Sequence, residues 1–364
     1  MAPHQKSAEA SKEAIIRDIL ASRFGRDVSL DPRSNNTKVY VVSLRPSTGE
    51  NADGSSKPAL QPATEPLPLS ATKVVVRFPD PRANLNDAVR VENEVAAMVL
   101  AHDALKPLGR SIVPAVYGWS SAAAGGTGWV LMECMPGTRL DLAGFKKLGR
   151  DAKKAVLGEI ARVLRLLQQY KLPASVEGYG GLGFAEDGTI AVGPTAIYGA
   201  TKRCETYHEL YTECVSSPLF VIITALLDWD FSHIASAADE FFYSFGSIGG
   251  LVEPPTPDPD HPVGRRRRGL LHGLEKIERR AEDAVNWDVV FWLDEAFAAA
   301  GVRRPIDMMP AIEQLSALYW FIQNVSPGAF FLPRFWAKHS AERLAQMRAH
   351  FGESVGNMLS GWGF

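Results

Sequence analysis

Two carboxylates, Asp228 and Asp230, stand where the apolar run Ile222–Leu227 ends, and a small-residue helical pattern follows in SHIASAADE. A buried strand that delivers acids at its C-terminal end suits a metal-bound phosphate. Mg²⁺ is held by one or two carboxylates together with substrate phosphates. A plainer reading stands beside this one: Asp228 caps the helix that follows, with Asp230 near its positive end. Arg77 supplies a cation in the strand-like VVVRFP, and on its own reads as an ordinary strand surface residue. Glu92 and Glu94, in VENEVAAM, both flank an apolar helical stripe, and the helical wheel does not choose between them.

Other chemistry-bearing residues point to plainer roles. Gly178, Gly180 and Gly183 satisfy G-x-G-x-x-G, but a dinucleotide site needs a strand before it and a helix after it. Here LPASVE precedes and FAEDGTIAVG follows, so the glycines read as tight-turn residues. His208, His233 and His272 lack metal-ligand spacing. Arg265–Arg268 follows the acidic, proline-rich loop Glu253–Pro262 and reads as a solvated, partly self-neutralised surface.

The elements that must position these groups follow from periodicity. Residues 11–24 read as a helix with Ile15, Ile16, Ile19 and Leu20 on one side. Lys38–Leu44 and Thr72–Phe78 read as β-branched strands, and Gly128–Met135 as a third strand stopped by Pro136-Gly137. Residues 45–71, rich in Ser, Pro, Gly and Ala, read as a flexible insertion. Residues 87–105 read as a helix, with Val91, Val95, Met98 and Val99 in register, and 151–170 as a strongly amphipathic one. Gly178–Gly193 reads as a hairpin, and Ile312, Leu315, Leu318, Tyr319 and Ile322 as one helix face in the tail. The expected architecture is α+β. A small β-rich lobe over 1–135 is hinged to a larger, mainly helical lobe over 136–364.

Bulk composition narrows the function classes. The 364 residues suffice for two lobes with real cores, and 46% apolar with 22% charged residues is ordinary for a soluble globular protein. A net charge of −2 gives no global bias toward nucleic acid or anionic membrane. Three scattered cysteines, Cys134, Cys204 and Cys214, make neither a disulfide framework nor a thiolate metal site. The first twenty residues lack a signal-type apolar core. Of the longest apolar stretches, 218–227 is too short to span a bilayer and 317–332 contains Asn324 and Pro327. The expectation is a soluble, cytoplasmic protein with no nucleic-acid or membrane partner. No residue pattern speaks to oligomeric state.

The ordered set of VVVRFP, ENEVAAM, IVPAVYGW, GWVLMECMPG and LLDWDFSHIASAADEFF resembles the aminoglycoside phosphotransferase family, in members found in fungi. The resemblance extends over most of the chain. It implies a protein-kinase-like two-lobe fold that uses ATP and Mg²⁺ to phosphorylate a hydroxyl on a small molecule. By resemblance, Arg77 contacts the nucleotide phosphates and Glu94 pairs with it from the helix. Glu133 to Met135 form the hinge whose backbone meets adenine. Ser34, Asn35 and Asn36 approach the phosphates, and Asp228 coordinates Mg²⁺. Such a set is coherent, because phosphoryl transfer needs positioning and charge neutralisation more than covalent chemistry.

One departure bears on activity. The family carries an HxDxxxxN-type loop upstream of the metal aspartate, whose Asp accepts the hydroxyl proton and whose Asn binds metal. No H-x-D occurs in this chain. The nearest candidate, His208-Glu209-Leu210, has Leu210 where the base would stand and Val215 at the Asn position, with Glu213 nearby as a substitute base. The chain runs directly from TECVSSP into FVIITALLDW, as if a helix, the catalytic loop and a strand were absent between Cys214 and Phe220. Such a unit is about 50–60 residues. The C-terminal lobe is then incomplete, no catalytic base is assigned, and Asp239 loses the loop it would buttress. Three expectations follow: a phosphotransferase with impaired transfer, a nucleotide-binding pseudokinase or scaffold, or a chain whose opened lobe does not fold stably.

Overall fold

The structure of the chain is a computed structural model that describes residues 3–30, 39–45, 61–80, 85–123, 126–137, 140–196, 201–206, 209, 238–256, 258, 260–280, 282–283, 285–309, 311–325 and 333–363. The N-terminal elements are α1 (Pro3–Phe24), β1 (Val28–Leu30), β2 (Val39–Leu44), β3 (Lys73–Arg77), α2 (Asp87–Leu105), β4 (Val116–Ser120) and β5 (Trp129–Glu133). The strands form one sheet in the order β1-β2-β3-β5-β4, with every neighbouring pair antiparallel. α2 is the connection from β3 to β4, so its packing sets how the sheet and the helix face one another.

Strand alternation sorts the side chains onto two faces. Tyr40, Val42 and Leu44 of β2, Val74 and Val76 of β3, and Leu131 of β5 are buried against Ile16, Ile19 and Leu20 of α1. The opposite face carries Val130 and Met132 of β5, which pack with Val91, Val95, Met98, Ala101 and Leu105 of α2. α2 begins at Asn86, whose side chain accepts from the Ala88 N–H, and Asp87 occupies its electropositive first turn.

Residues 61–71, inside the stretch expected to be a flexible insertion, instead lie on the sheet. The Glu65 N–H donates to the Val116 carbonyl at 2.8 Å, and Trp119 Nε1 donates to the Pro62 carbonyl at 2.9 Å. Buried Arg26 donates to the carbonyls of Leu69 and Ala71 at 3.1 and 2.9 Å. The exposed backbone edge of β4 attracts hydrogen-bonding partners whatever the local composition. That is why a Pro- and Ala-rich segment is ordered here.

The C-terminal elements are α3 (Leu142–Lys147), α4 (Arg150–Gln169), β6 (Gly181–Phe184), β7 (Ile190–Gly193), α5 (Glu240–Tyr243), α6 (Pro262–His272), α7 (Trp287–Ala300), α8 (Pro305–Met308), α9 (Ile312–Val325), α10 (Pro333–Lys338) and α11 (Ala341–Gly361). Leu157, Ala161 and Leu164 of α4 join Phe241, Phe242, Leu271, Val290, Leu293, Phe297, Ile312 and Tyr319 in one core. Each fully buried Leu or Phe contributes about 1.5–3 kcal/mol. Val163, on another face of α4, packs instead with the α2 core. α4 therefore ties the two cores together. The arrangement is α+β, as the residue patterns lead one to expect, and its antiparallel sheet with helices accords with the protein-kinase-like fold that the resemblance implies. Among the described residues, no helix is long and apolar enough to cross a membrane.

β6 and β7 form the expected hairpin, turning at Gly188 with φ +82°. A Cβ on Gly181 would stand 2.1 Å from the Pro194 carbonyl oxygen, so only glycine permits this backbone approach. The arginine run departs from expectation. Arg265 and Arg267 are buried on α6, not solvated. Arg265 pairs with Asp283, and Arg267 donates to the Ser316 hydroxyl and to the Glu253 carbonyl. A helix turns successive residues by about 100°, so four consecutive arginines cannot all face water once one side of α6 packs on α9.

Candidate functional site

Arg77 is the last residue of β3, opposite Val39 on β2 and Val130 on β5. Val74 and Val76 point to α1, so alternation sends Arg77 to the α2 side. Glu94 lies three residues after Val91 on α2, at the edge of the stripe that meets the sheet. The two side chains form an ion pair, with Arg77 14% exposed and Glu94 3% exposed. Removing charges from water is costly, and such a pair persists because each charge compensates the other.

Glu92 faces elsewhere. It meets the β6–β7 hairpin, where burial pushes its carboxyl above the usual range while contacts to the Phe184 backbone and the Ser121 hydroxyl pull it back. The neighbouring residue Asn93 is fully buried and accepts from the Leu182 N–H at 2.7 Å. Thus the structure brings Glu94, not Glu92, to Arg77.

Glu133 closes β5. Its N–H donates to the Ala115 carbonyl at 2.8 Å, and its carboxylate accepts from the Ala115 N–H at 3.3 Å. This side chain ties the ends of β4 and β5, a role beyond that of a solvated strand residue. It also adds to the burial that raises the Tyr117 phenol. Met135 is half-buried just beyond the strand, followed by Gly137 at φ +113°. Among the described residues, no backbone carbonyl accepts from the Met135 N–H.

Sequence reasoning missed the floor between these groups. Val41, Val75 and Met132 are cross-strand neighbours in one row on the α2 side of the sheet, and Val41 and Val75 are half-buried. The signal was present in the alternation of VYVVSL and KVVVR, whose second faces carry Val39 and Val41 on β2 and Val75 between Lys73 and Arg77 on β3.

Ser34, Asn35, Asn36, Asp228 and Asp230 lie outside the described residues, as do His208 and His233. Asp239 is described and buried at the start of α5, where its carbonyl accepts from the Phe242 N–H at 2.8 Å. His272 is exposed and pairs with Glu313. Among the described residues, no group of three or more His, Cys, Asp or Glu side chains could hold a metal ion.

A strand-end cation paired to a helix carboxylate, beside an apolar strip and an open backbone edge, is an arrangement suited to a nucleotide. Residues 69–189 match the phosphotransferase enzyme family, APH. The matched stretch runs from the approach to β3 through α2, β4, β5, α3, α4 and β6, and it contains Arg77, Glu94, Glu133 and Met135. Asp228 lies beyond it. The curated proteins and the solved structures give no match to the chain.

The described residues fit a nucleoside triphosphate. A guanidinium presents several N–H donors in a rigid fork suited to phosphate oxygens, and Glu94 fixes that fork on the sheet. Val41 and Val75 offer an apolar surface for a base, and the Met135 N–H an edge donor. Mg²⁺, when bound, would neutralise phosphate charge. Its expected ligand, Asp228, is outside the described residues.

Proposed function

We propose that the chain is an aminoglycoside-phosphotransferase-like protein, fungal in type and cytoplasmic, derived from enzymes that transfer a phosphoryl group from ATP to a small-molecule hydroxyl. The observation that carries this reading is the Arg77–Glu94 pair between β3 and α2, inside the segment that matches the phosphotransferase family. Arg77 orients the phosphates, Glu94 holds Arg77, and the Glu133–Met135 backbone receives the base. Ser34 and Asn35 approach the phosphates, and Asp228 holds Mg²⁺.

Transfer itself is impaired in this reading, because no HxDxxxxN-type loop precedes Asp228 in the sequence. Loss of a positioned general base lowers rates by about 10²–10⁴-fold. The same absence favours a second reading, a nucleotide-binding pseudokinase or scaffold that keeps Arg77, Glu94 and the hinge. Purified protein incubated with radiolabelled ATP, Mg²⁺ and a panel of amino alcohols and aminoglycosides tests both. Nucleotide binding with little or no transfer is the expected result, and robust phosphorylation of any hydroxyl would sink the claim of impairment.

A further inference from the structure

α2 packs on two sides. Apart from its sheet face, the helix has a face turned to the β6–β7 hairpin. Ala96, Ala97 and Leu100 of α2 pack with Val176 and Leu182 in a separate cluster. Two hydrogen bonds fasten that contact. The Asn86 N–H, at the start of α2, donates to the Ala196 carbonyl at 2.8 Å. At mid-helix, Asn93 Oδ1 accepts from the Leu182 N–H at 2.7 Å, and Asn93 has 0% exposure. The hairpin is itself anchored on the sheet, since Phe184 stacks on Trp119 of β4 with ring centroids 5.4 Å apart.

Asn93 and Glu94 are consecutive, so they project about 100° apart around the helix. One reaches the hairpin and the other reaches β3. A rotation of α2 that withdrew Glu94 from Arg77 would also pull Asn93 from Leu182 and leave a buried N–H unsatisfied, which is costly.

We propose that Asn93 is a positioning residue for the Arg77–Glu94 pair: through its buried bond to Leu182, the β6–β7 hairpin fixes the rotation of α2 and presents Glu94 to Arg77. The pair then forms without a separate ordering event. This inference rests on the nucleotide-site reading above, but the clamp can be read without nucleotide.

The test uses the full chain with Asn93→Ala, and Asn93→Leu, of similar volume, if the alanine variant does not fold. Val290→Ala, in the C-terminal core, serves as a control for general destabilisation. Hydrogen exchange of peptides spanning 87–105 and 181–193 is measured beside ATP affinity. The Asn93 variant should exchange faster in both peptides by on the order of tenfold. It should bind ATP more weakly by a similar factor, while the control leaves both near wild type. Unchanged exchange in 87–105, or an equal change in the control, overturns the proposal. If wild type binds no nucleotide, the functional reading fails, and the exchange result alone decides the clamp.

Discussion

The Arg77–Glu94 pair makes a quantitative prediction. Arg77→Met strips the cation from a carboxylate only 3% exposed. Removing one member of a buried pair costs about 3–5 kcal/mol, because the remaining charge is left uncompensated. Glu94→Leu leaves a guanidinium that is 14% exposed and can lean toward water. Its cost belongs at or below the low end of that range, about 2–3 kcal/mol. In the double variant Arg77→Met/Glu94→Leu no charge remains, and replacement of a buried pair by apolar groups of similar volume is often nearly neutral. The double variant should therefore be more stable than Arg77→Met alone, with a coupling energy of at least about 2 kcal/mol. Urea unfolding followed by circular dichroism, with an unchanged denaturant slope, measures all four corners of the cycle. Nucleotide affinity measured on the same proteins separates stability from function: the double variant should regain stability and still not bind ATP. Additive single costs, with coupling under about 0.5 kcal/mol, would refute the claim that these charges form one buried unit.

Three further outcomes follow from the geometry. Gly181→Ala should destabilise the hairpin by about 3 kcal/mol, near the top of the range for overpacking, because the obstacle 2.1 Å away is backbone; a loss under about 0.5 kcal/mol in urea would contradict the close approach. Glu92 has its folded carboxyl raised by burial, so the folded state takes up a proton more readily than the unfolded state, and its contribution to stability grows as pH falls from neutral toward 4.5. Glu92→Gln should then be the more stable protein at neutral pH and lose that advantage in acid, as read from unfolding midpoints; an advantage that grows in acid would reverse the sign. Ser316→Ala removes an acceptor from Arg267, whose guanidinium burial pushes down to about 10, and should cost about 1–3 kcal/mol in thermal or urea melts.

How much of this was legible beforehand differs by element. The strands around Val74–Val76 and Trp129–Glu133 announce themselves by β-branched and apolar runs, and α2 by a stripe at helical spacing. The hairpin showed in its Gly-rich ends, and the structure gives the reason: backbone atoms where a Cβ would stand. Glu94 could not be separated from Glu92 because both border the same stripe, and only the placement of β3 against α2 decides between them. β4 was hidden in IVPAVYGW because Pro114 stands just before it and Gly118 interrupts it, two residues that read against a strand interior. The order of 61–71 depends on an unpaired strand edge distant in sequence. The burial of Arg265 and Arg267 depends on Asp283 and Ser316, partners that no local pattern names. Asp228, the acid with which the functional reading begins, lies outside the described residues, so its role rests on its place after an apolar run.

If the reading of the site holds, the sheet, Arg77 and the hinge after β5 bind a nucleotide. Isothermal calorimetry of the full chain with ATP, with and without Mg²⁺, tests it most directly when paired with Arg77→Met. Saturable binding that strengthens with Mg²⁺ and is lost in the variant is expected. No binding at millimolar ATP, or equal binding by Arg77→Met, would contradict it.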